Sequence, residues 1–530
     1  MGLAAAAAPA AAAPVGGAAA AAPLPAAPLP APPAIRLVAA GPPRAYGEAV
    51  GAASASGAAG SAVAAVAATD FAQAGPTVRV WARRPPAQQW APDRVLLPAG
   101  FQSSYDPDAT ALPDGSVLVS SGTALADPSG CLVGGSVAVM HVTATGATAT
   151  GATATSRGNW TALVDDQRAT AGFDDRPAIA AGTDGLVWAA WSHGPAAERC
   201  EVVGHHDVIE LAVSRDGGRR FSRPMTLPSL GAGAAFGVRL ATLDAGRVAV
   251  AWTELSPTGS YAVALTVADA SGGYGRVRVL ARGTAVPRVL PGASFFTFEV
   301  AGLARLGSGR LAVSWPDWRA GRADVVVAVG SPGGPWRSTT VAPPSGADLL
   351  LPAVAAAGGT ELRLVCAVHR RAGDALGYAS ALLDVTTAGQ PRVRTPIRLF
   401  TPLAPGPGFF EIGELLVLAA GDTGGLTTAL VVAGATGSTV QTATWPAPAV
   451  PPAAAPALAP SSSSRSPSPL PLPTTARADA RRSGSAASLL SVALITAALV
   501  GVALAAAALL GAARVRRRRR RAGALADRRG

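Results

Sequence analysis

The chain contains no lysine, only three cysteines and few aromatic residues among its 530 positions. Aromatic residues make up 5% and charged residues 14% of the sequence, which excludes a coiled coil or a highly charged disordered chain. All 44 basic residues are therefore arginine, while glycine (61) and proline (46) are abundant. This bias is typical of a GC-rich genome, so runs of alanine and proline carry little functional information by themselves.

Positive charge is concentrated at the carboxyl end of the chain. The formal net charge is +12, and residues 514–530 hold nine arginines and one aspartate, a net charge of +8. The rest of the chain therefore carries about +4 (12 minus 8), and it shows no basic stripe with interleaved aromatic residues. This distribution argues against a nucleic-acid partner.

An uncharged apolar stretch from Leu489 to Leu510 directly precedes the arginine-rich tail. Roughly 20 apolar residues are enough to cross the hydrocarbon core of a bilayer. Clustered arginine beside such a stretch marks its cytoplasmic side and attracts anionic lipid. We therefore predict a single transmembrane helix over 484–513, a cytoplasmic polybasic tail over 514–530, and a membrane partner.

Two low-complexity regions flank the middle of the chain. Residues 1–74 are predicted to be a signal-like, Ala/Pro-rich region. They contain no basic residue before Arg36, so either the export signal is atypical or the true start lies elsewhere. Residues 446–483 are predicted to be a Pro/Ala/Ser-rich stalk in extended polyproline conformation. Export and anchoring together predict a cell-membrane protein with an extracellular ectodomain.

The stalk contains the pentapeptide LPTTA, residues 472–476, before a polar spacer, the apolar span and the arginine tail. This order resembles a cell-wall sorting signal, in which a sortase cysteine attacks the threonine carbonyl of an LPxTG motif. The resemblance implies cleavage between Thr475 and Ala476 and attachment to the cell wall. Ala476 stands where the signal has glycine, and retention as a single-pass anchor is the alternative.

A strand–turn–strand pattern repeats through the middle of the chain, and repeats of this size indicate stacked β units. It returns from Asp108, Arg176, Phe236, Glu299, Leu351 and Glu411. A second type of hairpin lies between these repeats, and one more copy, over 77–97, precedes them. Six inner and six outer pairs predict an all-β fold, a six-bladed β-propeller over 75–435. Its closing blade would combine 77–97 with 411–433. An array of β-sandwiches is the alternative.

One outer hairpin carries the pattern S-x-D-x-G-x-x-F, formed by Ser214, Asp216, Gly218 and Phe221. This pattern resembles the Asp box of sialidase-like (BNR-repeat) propellers of exported bacterial surface proteins. The resemblance covers roughly 75–435, and it implies that Asp216 braces the tight turn between two outer strands. A degenerate copy without the aspartate lies at 329–336.

A sialidase resemblance implies three arginines that clamp a carboxylate, a tyrosine nucleophile beside a glutamate, and an aspartate acid/base. Arg83-Arg84-Pro85 matches the family's Arg-Ile-Pro element only faintly. None of the five tyrosines lies in the predicted closing blade. We therefore predict binding without catalysis. A glycoside hydrolase of the exo-sialidase-like fold is the alternative, and a structural envelope component is a third interpretation.

In the predicted propeller, the loops before and after each inner pair open on one face around the axis, where ligands of propellers bind. The polar residues expected on this axial face are Asp106, Asp108, Asp174, Asp175, Arg176, His193, Glu254, Glu299, Asp317, Arg319, His369, Glu411 and Glu414. Carboxylates beside aromatic residues suit a sugar, a cationic peptide or a metal ion, and we predict an extracellular glycan or protein as the ligand. For any one of these residues, a solvated loop position or a turn brace is the alternative.

The remaining candidates for chemistry are cysteines and a histidine pair. Cys131 and Cys200 precede the outer pairs of neighbouring blades, which predicts a disulfide in an exported domain. Cys366 lies mid-strand and is predicted to be a buried apolar residue. The sequence His205-His206-Asp207 places adjacent side chains on opposite sides of an extended strand, so we predict no metal site and no cofactor.

Overall fold

The structure is a computed structural model that describes residues 32–446 with gaps. The gaps are 39–45, 54–62, 72–74, 84–88, 92–93, 127–131, 144–160, 166–171, 196–207, 232, 245, 296, 298–299, 308, 359, 387–388, 406–417, 421–425 and 435–436. The described residues form thirty β-strands and no helix. Accordingly, none of them belongs to a helix that is long and apolar enough to cross a bilayer.

Several predictions concern residues outside the described ranges. The predicted stalk (446–483) is described only at Pro446, the transmembrane segment and the polybasic tail are not described, and neither are Thr475 and Ala476. Cys131 and Cys200 also fall in gaps, so their disulfide stays a prediction.

The strands form seven sheets, which are the blades of a propeller. Blade 1 contains β2 (Tyr46–Ala53), β3 (Ala64–Asp70), β4 (Thr77–Arg83) and β5 (Arg94–Leu96). Blade 2 contains β6 (Ser103–Ala111), β7 (Val117–Ala126), β8 (Leu132–Val142) and β9 (Thr161–Asp165). Blade 3 contains β10 (Gly172–Ala181), β11 (Val187–Pro195), β12 (Val208–Ser214) and β13 (Met225–Thr226). Blade 4 contains β14 (Ala234–Thr242), β15 (Arg247–Leu255), β16 (Ser260–Asp269) and β17 (Arg278–Thr284).

The second half of the ring has the same plan. Blade 5 contains β18 (Gly302–Arg305), β19 (Leu311–Arg319), β20 (Arg322–Gly330) and β21 (Trp336–Val341). Blade 6 contains β22 (Ala347–Gly358), β23 (Glu361–Arg370), β24 (Ala375–Asp384) and β25 (Arg392–Val393), and the short β26 (Arg398–Leu399) and β27 (Ala404–Pro405) also pair with β24. Blade 7 contains β28 (Leu418–Ala420), β29 (Leu426–Gly434), β30 (Gly437–Trp445) and β1 (Ala34–Leu37).

Blade 7 closes the ring by combining strands from both ends of the described chain. Its outermost strand, β1, pairs antiparallel with β30, with Ala34 opposite Thr444. The amide of Val38 continues this ladder by donating to the carbonyl of Val440 at 3.0 Å. The prediction of an all-β propeller is confirmed. The count of six blades is wrong, and so is the predicted closure of the ring by 77–97 and 411–433.

The blade that the sequence analysis missed lies partly within the segment 1–74. The hairpin from Thr77 is only its outer half, because Thr77 pairs with Asp70 of β3. β3 reads AAVAATD and is buried at every position. Small side chains fit there, but alanine is depleted in strands, so the segment shows no strand signal by composition. An alanine-rich strand therefore resembles low-complexity sequence in its composition.

A separate hydrophobic cluster fills the interface between each pair of neighbouring blades. Between blades 1 and 2, Val78 and Leu96 lie in one cluster with Val117. Corresponding clusters lie at the other interfaces around the ring. Each blade thus buries both sheet faces against neighbours, which is how a propeller removes long exposed edges.

The innermost strand of several blades contains a β-bulge near its start. The bulged residue has a left-handed backbone at Asp106 (φ 49), Arg176 (φ 49), Gly237 (φ 65) and Leu351 (φ 50). Bulges re-aim side chains and are frequent next to functional sites. We number the four strands of each blade 1 to 4 outward from the axis. All four residues lie on the same side of the ring, near the start of strand 1 of their blade.

We call the side on which strand 1 begins and strand 2 ends the upper face, and the opposite side the lower face. The turn after β12 lies on the lower face. There, Asp216 Oδ1 accepts hydrogen bonds from the Ser214 hydroxyl (2.8 Å) and from the amides of Arg219 (3.1 Å) and Arg220 (2.9 Å). The Ser214 hydroxyl in turn accepts from the amide of Gly218 at 2.8 Å. Asp216 therefore braces this turn.

We expect Asp216→Ala to lower the free energy of unfolding by about 1–2 kcal/mol, because two backbone donors lose their acceptor. Partial burial opposes ionisation of Asp216, but the amides of Arg220 and Arg219 and the Ser214 hydroxyl lower its pKa overall. Chemical denaturation at neutral pH measures the loss. Asp216→Asn keeps one acceptor oxygen and should retain part of the stability. An alanine variant as stable as the wild type would contradict the bracing role.

Candidate functional site

The structure describes ten of the thirteen residues that the sequence analysis assigned to the axial face. Glu299, Glu411 and Glu414 lie in gaps. The other ten all lie at the upper face, because each is near the start of a strand 1 or the end of a strand 2. They divide into residues that join blades and residues that form two polar clusters.

Three of the predicted carboxylates, Asp108, Glu254 and Asp317, stabilise the fold by accepting hydrogen bonds from other parts of the chain. Asp108 is buried, and its Oδ2 accepts from the amide of Ile179 in blade 3 at 2.8 Å. Glu254 is buried, and its Oε1 accepts from the amide of Leu230 at 2.6 Å. Burial raises the pKa of Asp108 despite the opposing effect of Arg239 and of the backbone hydrogen bonds. For these positions the structural role has direct support.

Asp317 joins blade 5 to blade 4. Its Oδ1 accepts a hydrogen bond from the Tyr261 hydroxyl at 2.7 Å, and that hydroxyl accepts from Trp315 Nε1 at 2.9 Å. All three side chains are buried. This chain of hydrogen bonds satisfies every group in it, so it stabilises the interface between the two blades.

His369 is fully buried beside a carboxylate that the sequence analysis did not single out. Its Nε2 lies 3.2 Å from Asp374 Oδ1, and its Nδ1 lies 3.6 Å from Asp348 Oδ2. Asp348 also pairs with Arg371 through two contacts, of 2.8 and 2.7 Å, and accepts from the amide of Ala323 at 2.9 Å. Burial opposes ionisation of Asp348, but the Arg371, His369 and Ala323 hydrogen bonds lower its pKa to about 2.

Aromatic rings and carboxylates meet where blades 2 and 3 begin. Tyr105 and Phe173 stack with their centroids 6.1 Å apart, and the Tyr105 hydroxyl donates to the carbonyl of Asp174 at 3.3 Å. Burial, followed by the charges of Asp175, Asp106 and Asp174, raises the pKa of Tyr105 well above its usual value. A tyrosine in this environment stays protonated, which makes it a poor nucleophile.

Arg176 follows this aromatic pair at the bulge of blade 3. Its guanidinium lies 3.1 Å from Asp175 Oδ2, and it lies over the ring of Phe236 at 5.5 Å from the centroid. The side chain is only 11% exposed. Asp175 and Phe236 thus orient Arg176, and the left-handed backbone is held by these contacts.

The first polar cluster, the carboxylate–histidine cluster, consists of Asp174, His193 and Glu210. His193 Nδ1 lies 2.7 Å from Asp174 Oδ1 and 3.8 Å from Glu210 Oε2. Burial raises the pKa of Asp174 to about 6, although His193 opposes this. The hydrogen bond to Asp174 raises the pKa of His193, and burial raises that of Glu210. Asp165 of blade 2 interacts electrostatically with all three.

The second polar cluster, the arginine cluster, consists of Arg319, Arg322 and Arg371 around the hairpin turn between β19 and β20. Arg319 Nε pairs with Asp317, and Arg322 Nε lies 2.8 Å from Asp324 Oδ1. Their side chains are 56% and 48% exposed, while both carboxylates are buried. Each of these two arginines is therefore paired with a buried carboxylate, while about half of its side chain is exposed to solvent.

Arg371 comes from blade 6 and reaches the same turn. Its Nη2 donates to the carbonyl of Gly321 at 2.6 Å, and its guanidinium lies 5.5 Å from the centroid of the half-buried Trp318 ring. Ala320 and Gly321, the two central residues of the turn, both have positive φ. Arg319 and Arg322 are opposite each other across this tight turn on the upper face, and Arg371 approaches the turn from blade 6 together with the Trp318 ring.

Sequence reasoning found one member of the arginine cluster and two members of the carboxylate–histidine cluster. It missed Glu210, Arg322 and Arg371. A signal for Glu210 exists, since VIELAV is an apolar strand with a single charged residue. The carboxylate that anchors Arg371 comes from the start of strand 1 of the same blade, a pairing that no local pattern indicates.

Two of the tyrosines are buried and hydrogen-bonded to neighbouring blades. The Tyr378 hydroxyl donates to the carbonyl of Val431 at 2.8 Å, and burial raises its pKa. Tyr261 is enclosed between Trp315 and Asp317. Of the segment compared with the Arg-Ile-Pro element, only Arg83 is described, and its guanidinium lies over Trp90 at 4.9 Å.

The fold and the two clusters define a seven-bladed β-propeller with charged groups on its upper face. No family model matches the chain, and no curated protein matches it. Similar solved structures include a protein of unknown function from Dyadobacter fermentans, at 12% identity over 66% of this chain and 98% of that chain, with a TM-score of 0.40.

Two others are glycan-processing enzymes. The α-L-arabinanase of Penicillium chrysogenum in complex with arabinobiose is 14% identical over 51% of this chain and 92% of that chain, with a TM-score of 0.34. The NanB sialidase of Streptococcus pneumoniae is 9% identical over 79% of this chain and 71% of that chain, with a TM-score of 0.39. Likenesses this distant carry no argument about the function of this chain.

Proposed function

We propose that the protein binds an acidic glycan on its upper face, without catalysis, and that the arginine cluster and Trp318 are the contact surface. The observation that carries this proposal is one hairpin turn on the upper face that carries Arg319 and Arg322, both about half exposed, and that accepts a hydrogen bond at the Gly321 carbonyl from Arg371, whose guanidinium lies over Trp318. A guanidinium pairs bidentately with a carboxylate, and an indole face offers apolar area to a sugar ring.

The arrangement of the three arginines supports a binding role. Arg319, Arg322 and Arg371 each contact a buried carboxylate, which limits the rotamers of long side chains. Because these side chains are already oriented, little conformational entropy is lost when a ligand binds. The anchoring carboxylates neutralise part of the charge, so recognition relies on the directed N–H donors rather than on bulk positive charge.

The environment of the tyrosines supports binding without sialidase-type chemistry. Tyr105 and Tyr378 both donate to backbone carbonyls, and the pKa of each is raised. A raised pKa disfavours the phenolate that a tyrosine nucleophile needs. Display outside the cell on a C-terminal membrane anchor belongs to the same proposal and stays a prediction.

A glycan array containing uronate and sialate glycans tests the proposal. We expect the wild type to bind acidic glycans, and Arg319→Ala to bind them about 10-fold more weakly, because one charged hydrogen-bond donor is lost. Arg319→Lys should bind acidic glycans almost as weakly as Arg319→Ala, because an ammonium group cannot pair bidentately with a carboxylate. Asp317 keeps its Tyr261 partner in both variants, so the fold should persist.

The matched control is Arg305→Ala. Arg305 is 36% exposed and paired with Asp244, as Arg319 is paired with Asp317, but it lies at the lower-face end of β18. We expect its removal to leave glycan binding unchanged. Absence of acidic-glycan binding, or equal weakening by both substitutions, would contradict the assignment of the site.

One observation favours a glycoside hydrolase as the second candidate. Asp174 has its pKa raised to about 6, close to what a general acid needs at neutral pH. A panel of fluorogenic glycosides distinguishes the candidates. We expect no hydrolysis, and hydrolysis that disappears in Asp174→Asn would replace the binding proposal by the catalytic one.

A further inference from the structure

We propose that Asp174, His193 and Glu210 form a binding site for a divalent metal ion of the zinc type. Their candidate ligand atoms all lie within 4.8 Å of one another. The three residues come from the first, second and third strands of blade 3, and they point to the same side of its sheet. His193 is opposite Asp174 in the strand register, and Glu210 is opposite Trp191, two residues before His193. This site is separate from the arginine cluster and independent of the proposed glycan function.

Unpartnered buried oxygens point to a missing ligand. The Asp174 side chain is completely buried, and its Oδ2 has no hydrogen-bond partner among the described residues. Glu210 Oε2 is also buried and without a hydrogen-bond partner in the described part of the chain. Buried carboxylate oxygens are normally satisfied, and each orphan carries a desolvation penalty. A cation bound by the two carboxylates would offset this penalty.

The local charge favours a cation. Asp174, Glu210 and the neighbouring Asp165 contribute up to three negative charges, while His193 contributes at most one positive charge. Like charges that are close together and partly desolvated repel each other strongly. A divalent ion would balance the negative charge of the cluster.

The distances suit a small tetrahedral ion. Ligands 2.0–2.1 Å from zinc are about 3.3 Å apart in a tetrahedron. The observed separations from His193 Nδ1, 2.7 Å to Asp174 Oδ1 and 3.8 Å to Glu210 Oε2, lie on either side of that value. An imidazole nitrogen among carboxylates favours zinc over calcium, which prefers six to eight oxygens. His193 is 26% exposed, which leaves a side open to water or another ligand.

The experiment is titration calorimetry of the full-length chain, purified in detergent and stripped with a chelator, using zinc chloride as the probe. We expect one equivalent of zinc to bind, and calcium chloride to bind at least about 10-fold more weakly. His193→Ala should weaken zinc binding at least about 100-fold, the upper range for losing even an outer-sphere partner. The partly exposed position of His193 makes this variant the one that best preserves the fold.

The controls separate this site from other ligands in the chain. Asp174→Asn and Glu210→Gln conserve shape and should weaken zinc binding as well, with circular dichroism confirming the fold. The double variant His205→Ala/His206→Ala removes the two histidines that precede β12 in the sequence, and it should bind zinc like the wild type. The proposal is overturned if zinc does not bind, if calcium binds as tightly, or if binding depends on His205 and His206 instead.

Discussion

Replacing Val38 by aspartate is expected to lower the free energy of unfolding by about 3 kcal/mol or more, because it buries an uncompensated charge. Val38 is 8% exposed, directly follows β1, and packs with Trp81 of blade 1 and Val440 of blade 7. This cluster fills the interface between blades 7 and 1, where the ring closes. The outermost strand of blade 7, β1, has only four residues. Opening this interface would expose the edge of β30 and one face of blade 1.

The neighbouring residue provides the control. Leu37 is 50% exposed in the same strand, so Leu37→Asp should change stability by less than about 0.5 kcal/mol. Thermal unfolding of both variants, together with limited proteolysis, measures the difference. If the two substitutions are equally tolerated, β1 does not close the ring in the way described.

The second large effect is expected for Asp348→Ala, with a loss of about 3 kcal/mol at neutral pH. The substitution leaves the Ala323 amide and the buried His369 without their shared carboxylate, and it releases Arg371. Part of the penalty is relieved because Arg371 is 32% exposed and can turn to solvent. Asp348→Asn keeps an acceptor for the Ala323 amide, so its free energy of unfolding should lie between those of the wild type and Asp348→Ala.

This effect should depend on pH in a defined direction. The pKa of Asp348 is about 2 in the folded protein, below its usual value near 4. The folded state therefore favours the ionised form, so the stabilisation is present at neutral pH and is lost as pH falls from about 4 to about 2. The stability gap between wild type and Asp348→Ala should narrow over that range.

The matched control for Asp348 is an exposed ion pair. Asp244 is 77% exposed and lies 2.7 Å from Arg305. We expect Asp244→Ala to cost less than about 1 kcal/mol, because solvent screens the pair. Equal losses for the two alanine variants, or a gap that does not narrow in acid, would show that Asp348 does not bear the assigned role.

The sequence predicted the strands of the repeating unit correctly, but not the number of blades or the way in which the ring closes. All six predicted inner pairs are strands 1 and 2 of blades 2–7, since alternation and Gly/Asp turns are local signals. Closure is a long-range property, in which residues 34–37 pair with residues 441–444. No local pattern relates these segments, and the alanine-rich β2 and β3 concealed the additional blade.

The candidate site shows the same division. The sequence placed ten described polar residues on one face, but it did not distinguish those that face a ligand from those that join blades. Asp108 and Asp317 accept hydrogen bonds from neighbouring blades, whereas Arg319 pairs with Asp317 of its own strand and is 56% exposed. Such contacts follow from the registers of two sheets that pack together, which depend on residues far apart in the chain. Burial and partners are therefore known only from the structure.

The pairing of Ala34 with Thr444 has a geometric consequence for how the molecule can be presented. The described chain enters β1 and leaves β30 side by side on the lower face, because β1 begins there and β30 ends there. Both points lie on the opposite side of the ring from Trp318 and the arginine cluster. A partner joined directly before Ala34 or directly after Trp445 would therefore emerge on the side away from that surface.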